Sequence, residues 1–238
     1  MIKINNLCKS FQTSEGKVEA LKNISLEISD GECVIIGGEN GSGKSVLMSI
    51  IASLEEFDSG KLELSGQKIG LVFQEAETQI LGETPKEDVA FGPKNLGWKK
   101  DKIEKSVQEA LEKVDLLKKS EFPARFLSGG EKRRLAIACM IAMNLPIIIL
   151  DEPYANLDFC GVKQVNSLIK QLKSEGKTII ILTHEIEKCL ALATKFIVLF
   201  KGEKVFDGKP EDAMKENLEN WNIKNPLGKY ENLGDLIW

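Results

Sequence analysis

The run Gly38-Glu39-Asn40-Gly41-Ser42-Gly43-Lys44-Ser45 constrains this chain more than any other feature. An apolar stretch, Cys33 to Ile36, leads into it, and a helical pattern over 45–53 leads out. Glycines at these positions let the backbone turn its N–H groups inward around phosphate oxygens, where side chains would obstruct them. The helix that follows adds the positive end of its dipole. Strand, glycine loop and helix in this order predict a nucleoside triphosphate site. Its expected contacts are Gly38, Asn40, Gly41, Ser42, Gly43, Lys44, Ser45 and Val46. Lys44 is expected to reach the β- and γ-phosphates, and the Ser45 hydroxyl to bind Mg²⁺.

The rest of the chain supplies a frame for such a loop. Short β-rich runs open it at Ile2 to Leu7 and Ile24 to Ile28. From about Gln74 to Met143 strand signals fade. Asp101 to Lys119 carries Ile103, Val107, Leu111, Val114 and Leu117 on one helical face, and Gly130 to Met143 reads as a second helix. The α/β alternation then resumes: strand Ile147–Leu150, a helix from about Gly161 to Ser174, strand Thr178–Leu182, a helix from Glu185 and strand Phe196–Phe200. Alternation of this kind predicts a mainly parallel sheet with ligand chemistry at the strands' carboxyl ends. A polar helix and a tail ending in Trp238 follow Pro210.

Two carboxylates stand at one such end. Asp151 is placed to hold Mg²⁺, and Glu152 to orient or deprotonate a water attacking the γ-phosphate. Carboxylates in that position also serve as caps for a following helix, and on the strand alone either reading holds.

Bulk properties exclude several classes. A net charge of −4 leaves no broad cationic surface for nonspecific DNA binding. The longest apolar run, Leu135 to Leu150, is shorter than the roughly 20 residues of a spanning helix and is interrupted by Asn144 and Pro146. The five cysteines, Cys8, Cys33, Cys139, Cys160 and Cys189, include no CxxC pair, as expected of a reduced, intracellular chain. Any action at a membrane would need a partner to hold the chain there.

Between the glycine loop and the carboxylates lies Leu127-Ser128-Gly129-Gly130-Glu131. It reads as a helix start, with Ser128 as cap and two glycines exposing backbone N–H groups. The order of the three motifs closely resembles the nucleotide-binding domains of ABC ATPases. That resemblance covers about residues 2 to 215. It implies an α/β fold: a P-loop NTPase core with a mainly parallel sheet, an antiparallel β subdomain and an inserted α-helical subdomain. Residues 1–238 would form one ABC ATPase domain, with its core at about 1–75 and 144–215, the helical subdomain at about 76–143 and a tail at about 216–238. Gln74 resembles the Q-loop glutamine that contacts Mg²⁺ and links to the transport partner, Asp158 the acidic residue of the D-loop, and His184 the switch histidine at the γ-phosphate. Phe11 matches the aromatic position that stacks on adenine. The resemblance further implies a head-to-tail dimer, with Ser128, Gly129 and Gly130 of one copy covering the ATP held by Lys44 of the other. Catalytic roles thus fall to Glu152, His184, Gln74 and Lys44.

A finer resemblance lies in Gln79-Ile80-Leu81 and in Glu87 to Pro93, with Arg133 to Ala138 and Phe206 to Pro210, all similar to energy-coupling factor ATPases. Together with the broader ABC resemblance it implies ATP and Mg²⁺ as ligands and a second ATPase subunit, identical or related, as partner. It also implies a transmembrane coupling subunit and a substrate-binding membrane subunit, a place on the cytoplasmic face of the membrane, and import of a vitamin or of cobalt or nickel. Read locally, Glu87 to Pro93 is a helix ending at proline. Glu39, Val46 and Tyr154 depart from the family pattern, and Glu39 is expected to face away from phosphate. The alternatives are the ATPase of another ABC transporter and a soluble ABC ATPase. The latter class carries a long coiled coil between its motifs, and the short span from Gln74 to Ser128 has no room for one.

Overall fold

The computed structural model describes residues 1–14 and 16–228; the end of the tail, with Trp238, lies outside the described residues. Strands β1 (Ile2–Thr13), β2 (Gly16–Ile28) and β4 (Ser59–Glu63) form an antiparallel sheet in the order β2-β1-β4. The larger sheet runs β5-β6-β7-β3-β8-β9, from β3 (Cys33–Gly37), β5 (Ile69–Val72), β6 (Ile147–Asp151), β7 (Thr178–Thr183), β8 (Lys195–Phe200) and β9 (Glu203–Gly208). Its first five strands are parallel, and β9 turns back antiparallel on β8.

The central strands are continuous apolar runs because both of their faces are covered. Successive side chains point to opposite faces of a strand. Val34, Ile36, Ile147, Ile149, Ile180 and Leu182 therefore enter one core with the small sheet and helix α1 (Lys44–Ile51). Cys33, Ile35, Ile148, Leu150, Ile179 and Ile181 enter the other, beneath α2 (Pro85–Asn95), α3 (Lys100–Lys113), α4 (Gly129–Ala142) and α5 (Phe159–Ser174). Helices α2 to α4 all fall between β5 and β6 in the chain. The α/β class and both subdomain types agree with expectation.

Several local expectations need correction. The helix predicted over 101–119 stops at Lys113, where Asp115 turns left-handed at φ 55° and a separate 3₁₀ turn covers Leu117–Lys119. The helix predicted from Glu185 is two 3₁₀ turns, Ile186–Lys188 and Leu190–Leu192. Side chains of α5 take the carbonyls that a continuous helix would use: Asn166 Nδ2 donates to Lys188 O at 2.7 Å and Lys173 Nζ to Leu192 O at 2.9 Å. The polar helix after Pro210 is only the single turn α6 (Pro210–Ala213). Pro93 lies inside α2 and does not end it.

Tyr154 is fully buried, and its hydroxyl donates to Asn166 Oδ1 at 2.7 Å, which positions the amide that holds Lys188. Removing the hydroxyl strands a buried acceptor. Tyr154→Phe should lower unfolding free energy by about 1–2 kcal/mol in a denaturant titration, and an unchanged midpoint would refute this packing role.

Candidate functional site

The register of three neighbouring strands builds the site. Ile36 on β3, Leu182 on β7 and Asp151 on β6 lie level across the sheet, so the residues that follow each strand emerge side by side. Those residues are the glycine loop after β3, Glu152 after β6 and His184 after β7, which Thr183 ends.

The loop is shaped by two glycines. A Cβ on Gly38, at φ 145°, would lie 2.2 Å from Leu199 O, and one on Gly43, at φ 104°, would lie 2.6 Å from Ala20 O. Neither approach tolerates a side chain. Helix α1 begins without a side-chain cap, whereas Thr84, Ser128 and Asp158 cap α2, α4 and α5. Its first N–H groups and dipole are thus available to an anion.

Lys44 is 5% exposed, and its Nζ donates to Gly38 O at 2.7 Å and Glu39 O at 3.0 Å. Burial lowers its pKa, and the charges of Glu152, Asp151 and Glu39 oppose that shift. Asp151 is raised above the ordinary carboxylate range, first by burial and then by the charge of Glu152, with Lys44 pulling the other way. Ser45 Oγ lies 3.5 Å from Asp151 Oδ2. Asp151 Oδ1 and Ser42 Oγ are buried without a hydrogen-bond partner. Hydroxyl and carboxylate oxygens with a free buried lone pair fit a hard divalent cation. Among the described residues no cluster of three or more His, Cys, Asp or Glu could hold a metal, so such a cation would complete its shell with phosphate oxygens and water.

Glu152 is held more tightly than a capping carboxylate needs to be. Its backbone sits left-handed at φ 44°, an unfavourable conformation for a non-glycine residue. Oε2 accepts from Thr183 Oγ1 at 2.9 Å, and Oε1 accepts from the His184 backbone N–H at 3.1 Å. His184 Nδ1 lies 2.8 Å from the same Oε1.

A second group lies apart from these contacts in the hydrogen-bond pattern. Ser128 and Gly129 are exposed and Gly130 half-exposed at the start of α4. Ser128 and Glu131 form a capping box, with Ser128 N–H donating to Glu131 Oε2 at 2.9 Å and Glu131 N–H to Ser128 Oγ at 3.3 Å. A Cβ on Gly130 would lie 3.6 Å from Leu157, the residue before Asp158. Asp158 caps α5, its Oδ1 accepting from Gly161 N–H at 2.7 Å.

The remaining expected residues are more loosely placed. Asn40 and Gly41 are exposed in the loop. Val46 packs its side chain into the core under the small sheet, which leaves only its main chain for phosphate. Gln74 is exposed after β5, and no hydrogen bond joins it to Ser45 or Asp151 among the described residues. Phe11, 37% exposed, lies on β1 opposite Val18, with Lys9 Nζ 4.9 Å above its ring. Glu39 turns toward the C-terminal segment, where Asn222 Nδ2 donates to its Oε2 at 2.7 Å. Sequence reasoning does not name Thr183 as a site residue; its signal is a hydroxyl directly after the apolar run Ile179 to Leu182.

Comparison with known proteins bears on these motifs. A family model described as ABC transporter matches residues 21–155. Energy-coupling factor transporter ATP-binding protein EcfA2 of Methanospirillum hungatei is 38% identical over 87% of this chain, and the chain spans 56% of that relative's length. EcfA1 of Caldanaerobacter subterraneus is 41% identical over 87% of this chain and 80% of its own. Among solved structures, cbiO1 from Clostridium perfringens, part of the cbiONQ transporter complex, has a TM-score of 0.81 at 32% identity and covers 90% of each chain. The dimeric ATP-binding cassette MJ0796, bound to ADP and Pi after hydrolysis, has a TM-score of 0.80 at 31% identity, covering 88% of this chain and 99% of that one.

A raised Asp151 means that the folded state takes up this proton before the unfolded chain does as pH falls. The ionised side chain therefore opposes folding at neutral pH, and its penalty fades as pH drops through the raised value. Asp151→Asn should raise Tm by a few degrees at pH 7, with the gain shrinking toward about pH 4. A lower Tm in the variant at pH 7 would contradict the burial argument.

Proposed function

The chain belongs to the ABC transporter family of ATP-binding proteins, and on that ground we propose that it energises a membrane importer of the energy-coupling factor type, for a vitamin or for cobalt or nickel. It is an ATPase. The observation that carries the reading is the convergence of Lys44, Ser45, Asp151, Glu152 and His184 at the carboxyl ends of adjacent strands. The energy-coupling factor assignment is supported by relatives of that name at 37 to 41% identity.

In this proposal the loop N–H groups and Lys44 grip the β- and γ-phosphates, and Phe11 stacks on adenine. Mg²⁺, when bound, supplies positive charge to the phosphates; Ser45 and Asp151 would hold it, with Gln74 completing the set. Glu152 orients the attacking water and accepts its proton. Thr183 and the His184 backbone N–H hold Glu152 in aim, and His184 donates Nε2–H to the γ-phosphate. Ser128 to Gly130 and Asp158, brought near each other where Gly130 approaches Leu157, cover the nucleotide of a second copy or of a related ATPase.

No helix among the described residues is long and apolar enough to cross a membrane. In this proposal a transmembrane coupling subunit holds the chain at the cytoplasmic face, in a complex with a substrate-binding membrane subunit. Exposed Phe73, Leu81 and Phe91 near the Gln74 loop offer that subunit an apolar surface.

Glu152→Gln should keep ATP affinity, lose at least about 100-fold in turnover and accumulate as an ATP-bound dimer in size-exclusion chromatography. Undiminished steady-state ATPase in that variant would remove Glu152 from the chemistry. Lys44→Ala should lose nucleotide affinity instead. Mass spectrometry of the detergent-extracted complex should find a coupling subunit and a small membrane-embedded binding subunit. Recovery of a different transporter architecture would replace the importer assignment and leave the ATPase intact.

A further inference from the structure

We infer that Arg133 is a positioning residue that fixes the loop bearing Gln74 to the start of α4, so that the exposed end of that helix and the loop move as one body. The inference rests on the roles proposed above for Gln74 and for Ser128 to Gly130.

Arg133 is 5% exposed, on the buried side of a helix whose neighbours Lys132 and Arg134 are less covered. Its Nη1 donates to Phe73 O at 3.0 Å, the carbonyl immediately before Gln74. Burial lowers its pKa, and the charges of Asp151 and Glu152 oppose the shift. Among the described residues no carboxylate lies within ion-pair distance of its guanidinium, although salt bridges occur elsewhere on the same helix. A buried cation without a paired anion is expensive, and apolar residues of similar volume commonly stabilise such sites. A residue selected for packing alone would be Met or Leu here.

The loop itself is built to transmit a pull at Phe73. Gln79 closes it, with Phe73 N–H donating to Gln79 Oε1 at 2.8 Å and Gln79 Nε2 donating to Leu71 O at 3.0 Å. Lys132 adds a second strut from α4, its Nζ 2.6 Å from Glu77 Oε2. Consecutive residues of one helix thus hold both the start and the middle of a hydrogen-bonded ring. Lys132–Glu77 is mostly exposed on the Glu77 side and contributes little alone. The buried Arg133 contact is the one that sets position. A shift of the first turn of α4 on contact with a second copy's nucleotide is carried by Arg133 to the Phe73 carbonyl, and from there to Gln74.

The test compares Arg133→Met, Arg133→Lys and Gln74→Ala in the full chain. Arg133→Met should keep or raise Tm and leave the KM for ATP within about twofold, yet lower kcat by roughly 10-fold or more through misplacement of Gln74. Amides of residues 73–79 should exchange faster with deuterium. Arg133→Lys, which keeps one donor and the charge, should recover most of kcat even if the Met variant folds poorly. In a Gln74→Ala background, Arg133→Met should lower kcat no further. Should Gln74→Ala itself retain full turnover, the role of Gln74 falls and this inference with it. Should Gln74→Ala be impaired while Arg133→Met is not, or should the two losses multiply, only the assignment of Arg133 is overturned.

Discussion

Three parallel strands that end level with one another, β6, β7 and β3, govern the rest of the molecule. Backbone pairing alone sets that register, and it brings Lys44, Asp151 and Glu152 together in a largely dry place. Burial works against the charges of Lys44 and Asp151, and the charge of Glu152 adds to the penalty on Asp151. Lys44 partly offsets this, yet its Nζ makes its hydrogen bonds to main-chain carbonyls. A fold under selection for stability alone would not hold such a cluster beneath a loop that has no side-chain cap. The same groups become complementary once phosphate oxygens and a divalent cation supply the missing charges.

The layers around the sheet follow from this demand. Apolar alternation on the central strands sends one face to α1 and the small sheet, and the other to α2 through α5. Helix α1 is thereby clamped between two sheets, with its N-terminus at the strand ends. The elements proposed to respond to nucleotide stand outside this clamp. Gln74 follows the edge strand β5, and Ser128 sits at the tip of α4. A rigid phosphate seat with more loosely attached reporters suits a cycle in which differential nucleotide contacts shift a population of conformations.

Much of this was legible in residue order. The glycine loop, the Asp151-Glu152 pair after an all-apolar strand, and His184 after the next strand could be placed because continuous apolar runs mark buried parallel strands. Strand β4, Ser-Gly-Lys-Leu-Glu, lacks the β-branched residues that mark a strand, and only its pairing with β1 makes it one. The segment after His184 has helical residues but gives up its carbonyls to Asn166 and Lys173, side chains 22 and 19 positions away. Contacts across the fold of this kind leave no periodic trace. Arg133 touching Phe73 and Asn222 touching Glu39 are hidden for the same reason. The outward turn expected of Glu39 is seen, and its partner came from a segment that pattern alone could not place.

The central claim is that this charge cluster exists to receive a polyphosphate. Affinity for adenosine, AMP, ADP and ATP, measured by isothermal titration calorimetry at fixed Mg²⁺, tests it most directly. The account predicts negligible binding of adenosine and AMP and a rise of at least about 100-fold when the β-phosphate is added, since charge-assisted contacts to Lys44 and the loop begin there. Equal affinity for AMP and ATP would contradict it.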